Sequence, residues 1–104
     1  MKHKAAVRTR EKLAAGLPPL TEILRGSLLR RTIRHKTGCP KCARGEGHPT
    51  WVLTVSYAGG LTRQFSIRPE MKDQVERWLN NYQELRAKLE AICEANHVLL
   101  RPEE

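Results

Sequence analysis

From Pro69 onward the apolar side chains recur at steps of four and three, and no other feature of the chain restricts its fold so strongly. Met71, Val75, Trp78, Tyr82, Leu85, Leu89, Ile92 and Leu99, with Asn96 completing the series, predict one helix from Pro69 to about Leu100, roughly 45 Å long at 1.5 Å per residue. Proline suits the first helical position because its missing N–H has no intrahelical partner there. The repeat is a heptad with Val75, Tyr82, Leu89 and Asn96 at the a positions, and a buried Asn at such a position is a known means of setting register in a two-stranded coiled coil. The neighbouring Gln74, Asn81, Lys88 and Ala95 hold a single charge and do not decide whether the stripe meets a second copy or the chain's own core. The expectation is that the first half covers a sheet and the last half forms a homodimer.

The sheet that needs covering is legible just upstream. Trp51 to Tyr57 and Leu61 to Ile67 alternate apolar and polar residues, the pattern of half-buried strands, and Ala58-Gly59-Gly60 joins them. A three-residue loop with glycine in the left-handed position sets Tyr57 opposite Leu61, Leu53 opposite Phe65 and Trp51 opposite Ile67. A two-residue Gly-Gly loop would set Leu53 and Val55 against Ser66 and Gln64, so the longer loop is expected. Ser27 to Arg34 fits a strand or a short basic helix equally well, and Leu20 to Leu24 fits one helical turn closed near Gly26. Residues 1–16 read as a basic, flexible tail or weak helix ending at Gly16, ahead of Leu17-Pro18-Pro19. The expected fold class is therefore α+β: a Cys/His loop and a small antiparallel sheet, with Ser27 to Arg34 as its candidate third strand, followed by a long C-terminal helix, all within one domain of residues 17–104.

The charge is uneven. Net charge is +8, and residues 1–44 carry twelve Lys or Arg against only Glu11 and Glu22. Such an excess calls for an acidic partner, and nucleic acid, DNA ahead of RNA, is the expected one. Arg25, Arg30, Arg31, Arg34, Lys36, Lys41 and Arg44 would form a basic strip that neutralises phosphates, extended by Arg63 and Arg68 on the hairpin, with Arg8, Arg10 and Lys12 reaching an adjacent groove. The alternative is a protein adaptor that docks a larger partner on Leu85, Leu89 and Ile92. No secretory signal or membrane-spanning stretch is expected, and three cysteines, an odd number, suit a reducing compartment, so the expected location is cytoplasmic.

Residues 35–50 hold three Gly, two Pro and most of the metal-ligand side chains, a composition that does not order itself. Cys39-Pro40-Lys41-Cys42 is a C-x2-C knuckle of the kind that wraps a tetrahedral zinc ion, but a closed structural site needs four ligands. His35 and His48 flank it locally, whereas Cys93 and His97 stand four apart on the late helix. The local set His35, Cys39, Cys42 and His48 is preferred, because the distant pair requires the loop to reach the far end of a long helix. Without metal, the same cysteines are small half-buried residues. Four protein ligands would leave no open position for chemistry, and no paired carboxylates or Ser/His/Asp grouping stands out, so the chain is not expected to be an enzyme.

Several runs together carry a resemblance: Leu17-Pro18-Pro19-Leu20, Arg25-Gly26-Ser27-Leu28, Cys42-Ala43-Arg44-Gly45-Glu46-Gly47-His48, the hairpin, and Trp78-Leu79-Asn80-Asn81-Tyr82. Over about residues 17–100 the chain resembles the bacterial domain-of-unknown-function family 6788, whose loop reads C-x4-C-x-C-A-R-G-x-x-H followed by Gly-Pro-Tyr. Cys42 and His48 agree with that loop. His35 takes the place of its first cysteine, Cys39 comes one residue early, and Pro49-Thr50-Trp51 replaces the aromatic turn. A histidine in place of a cysteine is a substitution that zinc accepts. The resemblance implies association with mobile elements and a transposase-like partner, and it implies no activity.

Overall fold

The computed structural model describes residues 3–33 and 48–102 and divides the chain into two units: Arg25–Leu79, and Met1–Leu24 with Asn80–Glu104. Among the described residues no helix is long and apolar enough to cross a membrane.

The first unit is a three-stranded antiparallel sheet of β1 (Ser27–Ile33), β2 (His48–Ser56) and β3 (Thr62–Ile67), in the order β1-β2-β3. The candidate third strand is thus a strand, because β2 offers its free edge to the run Leu28 to Ile33 and pairing removes the ambiguity of a pattern that fits both periods. The hairpin register is the expected one, with Trp51 opposite Ile67 and Leu53 opposite Phe65. Beyond the ladder the Tyr57 N–H donates to the Leu61 carbonyl at 2.7 Å. Gly59 and Gly60 then turn the chain with φ of 81° and 80°, values that a side chain disfavours.

Register sorts the residues into two faces. Leu28 and Arg30, then Trp51, Leu53 and Val55, then Arg63, Phe65 and Ile67 share one; Leu29, Arg31, Val52, Thr54, Gln64 and Ser66 share the other. Leu53 and Val55 are buried, and the helix that follows lies on their side, since the Lys72 ammonium stands 5.0 Å from the centre of the Trp51 ring. Arg68 is extended ahead of proline, Pro69–Met71 makes one 3-10 turn, and α2 (Lys72–Leu99) begins there, with Val75 buried on its first turns. On the other face Thr54 is half-buried with its hydroxyl out of solvent and without a hydrogen-bond partner among the described residues. Replacing it by the near-isosteric valine removes that desolvated oxygen. Thr54→Val is expected to stabilise the protein by about 1 kcal/mol, read as a raised midpoint of denaturant unfolding at unchanged slope.

The second unit is a pair of antiparallel helices, α1 (His3–Ala15) against the later turns of α2. His3 bonds the Arg101 carbonyl through Nε2 at 2.6 Å, Arg10 donates from Nη1 to Asn96 Oδ1 at 2.9 Å, and the Lys88 ammonium donates to the Gly16 carbonyl. Beyond α1, Asn81 donates from Nδ2 to the Glu22 carbonyl at 2.9 Å. Ala6 and Ala95 are buried in this unit, and small side chains there allow close approach of the two backbones. The segment read as a tail or weak helix is therefore a helix held along its length by α2. Its end is as expected: Gly16 donates to the Leu13 carbonyl at 3.1 Å, and Lys12 suits the negative end of the helix dipole. Leu20 to Leu24 contains a single turn, closed by the Glu22 N–H on the Pro19 carbonyl at 3.1 Å, and does not continue as helix.

This packing revises the seam. Asn96, read as a device for pairing two copies, is engaged by Arg10 of its own chain, and the half of α2 expected to meet a second copy is met by α1. The packed stripe includes Lys88 and Ala95, one residue before the a positions Leu89 and Asn96, and Leu89 is left 48% exposed.

Candidate nucleic-acid interface

At the loop end of the sheet two arginines meet one aromatic ring. Tyr57 extends β2 by one residue, and β3 places Arg63 opposite Val55, two residues earlier. Arg25 reaches the same ring from the segment preceding β1. Their guanidinium carbons stand 5.2 Å (Arg25) and 5.5 Å (Arg63) from the Tyr57 ring centre, within cation–π range. Arg25 also donates from Nη1 to the Ser56 carbonyl at 2.6 Å, which fixes its orientation.

The opposite end repeats the combination. Arg30, Trp51 and Ile67 form one cross-strand row, and with Pro49, Arg68 and Pro69 they border a groove of about 370 Å³. Lys72 lies over the Trp51 ring on the same face. The acids nearby are Glu70, 3.8 Å from Arg68, and Glu76, 3.0 Å from Lys72. The Arg68 pair is open to solvent and contributes little, whereas Lys72 is half-buried against Glu76.

The expected basic strip is thereby divided. Arg30 and Arg31 are consecutive on β1, so the pleat sends them to opposite faces, Arg30 beside Trp51 and Arg31 beside Thr50. Arg25 and Arg63 converge on Tyr57 at the other end. Arg34, Lys36, Lys41 and Arg44 lie outside the described residues. Arg10, expected to reach an adjacent groove, is half-buried and turned to Asn96, whereas Arg8 and Lys12 are exposed. Sequence reasoning passed over Tyr57 and Lys72 as site residues. The signal for Tyr57 was present, since a hairpin loop with Arg63 near its far end brings a cation to the ring.

Of the expected metal set, His35, Cys39 and Cys42 lie outside the described residues, as does the His48 side chain. The backbone does place His48 as the Cα partner of Ile33, so the segment carrying the knuckle leaves and re-enters the sheet on neighbouring strands, about 5 Å apart. Cys93 is a free, exposed cysteine on α2, and His97 is exposed one turn later. Among the described residues no three His, Cys, Asp or Glu side chains group as a metal site.

No family model, curated protein or solved structure matches the chain, so the resemblance described above stands on the residues quoted for it.

Proposed function

We propose that the chain is a small non-catalytic nucleic-acid-binding module whose sheet presents arginines and aromatic rings to a phosphate backbone, DNA ahead of RNA. The observation that carries this reading is the pairing of cations with rings at both ends of one sheet, Arg25 and Arg63 with Tyr57, and Arg30, Arg68 and Lys72 around Trp51, in a chain of net charge +8. Arginine suits both tasks, because its planar fork matches phosphate and its flat face stacks on rings. A zinc ion on His35, Cys39, Cys42 and His48 would order the loop between β1 and β2 and hold Lys36, Lys41 and Arg44 beside Arg30. The paired strand ends at Ile33 and His48 favour that local set. Action alongside mobile-element machinery, with a transposase-like partner, is what the resemblance adds. With α1 on α2, the surface left for an adaptor or a second copy centres on Leu89 and Leu100.

The test is a salt titration of binding. Replacing Arg30, Arg31 and Arg63 together by glutamine is expected to weaken binding and to reduce the slope of log affinity against log salt by about 2 to 3, close to one for each phosphate that is no longer neutralised. Unchanged affinity and slope in the triple variant would remove the sheet from the interface.

A further inference from the structure

We infer that the face of β3 shared with Trp51 is a stacking track for single-stranded nucleic acid, with Phe65 at its centre. The inference rests on the nucleic-acid reading above and narrows it to strands with unpaired bases.

An edge strand ordinarily keeps large apolar side chains under cover, and β3 does not. Phe65 is 45% exposed, although its cross-strand neighbour Leu53 is buried. Leu61 at the start of the row is 53% exposed and Tyr57, opposite it, 41%. Arg63 stands between Leu61 and Phe65 on the same side, and Ile67 follows beside Trp51. The row thus runs from two open rings, Tyr57 and Phe65, toward a third, Trp51, which is half-buried and carries Lys72 over its ring. Along β2 the ends are six residues apart, about 20 Å of strand. Cations accompany it throughout: Arg25 and Arg63 at Tyr57, Arg30, Arg68 and Lys72 at Trp51.

Charge complementarity selects the occupant. A bare apolar row would fit an apolar partner, but rings alternating with guanidinium groups fit a polymer that alternates flat bases with phosphates. An intact duplex stacks its bases on one another and shows a protein only their edges and the backbone, so it would leave Phe65 unused. Unpaired bases can lie on Phe65 and on the outer guanidinium faces of the Tyr57 cluster while their phosphates meet Arg63 and Arg25.

The experiment compares a labelled oligothymidylate of about twelve nucleotides with a duplex of equal length, at matched salt, on the full chain. Tighter binding of the single strand is expected, with Tyr57→Ala and Phe65→Ala each weakening it about 5- to 100-fold while leaving the salt slope unchanged. Phe65→Tyr, which keeps a ring and guards against loss of folding, is expected to bind like the unmodified chain. Quenching of tryptophan fluorescence should accompany single-strand binding as bases approach Trp51. If the duplex binds equally well and the alanine variants keep full affinity, the track is wrong and the phosphate-binding module stands. If neither ligand binds at low salt, both readings fall. If Phe65→Ala instead abolishes self-association without changing oligonucleotide binding, the row is an interface between copies and the track is likewise overturned.

Discussion

Replacing Gly26 by alanine is expected to destabilise the protein by about 2 to 4 kcal/mol. Two independent effects combine. Gly26 has φ of 144°, a backbone conformation that side chains avoid. A Cβ there would also lie 2.9 Å from Leu53 Cδ1, 2.9 Å from the Thr54 carbonyl oxygen and 3.2 Å from Val55 Cγ2. The carbonyl belongs to the ladder of the central strand and cannot withdraw without breaking pairing, and Leu53 and Val55 are, with Val52, the buried residues of that strand. Chemical denaturation of Gly26→Ala against the unmodified chain measures the loss. A change within 0.5 kcal/mol, the range of ordinary surface substitutions, would show that the approach of this segment to β2 is looser than described. The same substitution should weaken oligonucleotide binding, because Arg25 reaches Tyr57 only from a segment held this closely against the sheet.

The second large effect concerns α1. Ala6 is fully buried, so Ala6→Asp would take a carboxylate out of water and force it into a contact sized for a methyl group. Detachment of α1 from α2 relieves that charge, and the expected result is a loss of about 3 kcal/mol or more in the stability of the helical unit, together with faster amide exchange along residues 3–15. Removing α1 altogether should have a related consequence. It strips Asn96 of Arg10 and uncovers Ala95, and the freed stripe of α2 should then drive self-association, seen as a concentration-dependent mass in sedimentation. A tail without a packing role would give neither result: Ala6→Asp would be silent, and the truncated chain would remain as stable as the whole.

Much of the fold is legible in the amino-acid sequence. The hairpin register rests on alternation over a few residues and on a loop rich in glycine, both local signals, and the pairs Trp51 with Ile67 and Leu53 with Phe65 follow from them. The long helix was equally plain, because Pro69 opens the 3-10 turn that leads into it and its apolar spacing holds to Leu99. The fate of that helix was not. A heptad stripe states that a face will be buried and says nothing of by what. Here the partner of the later turns is α1, whose large apolar residues, Val7 and Leu13, are too sparse to announce a packed helix. The candidate site shows the same division. Arg63 and Arg25 were picked out by charge, yet their common target, Tyr57, is a neighbour of neither in sequence.

By itself the sequence determined the elements whose signals are short in range: the turn at Gly59 and Gly60, the phase of β2 against β3, the start of the helical stretch at Pro69, whose first turn is 3-10, and the excess of positive charge. Tertiary structure alone decided that Ser27 to Ile33 is a strand, that Arg30 and Arg31 serve opposite faces, that α1 occupies the flank of α2, and that Phe65 lies open between two cation-bearing rings. The physical reason is common to all four. Periodicity records which side of an element avoids water, whereas the identity of what covers that side depends on segments distant in the chain, and each of these outcomes was set by such a pairing.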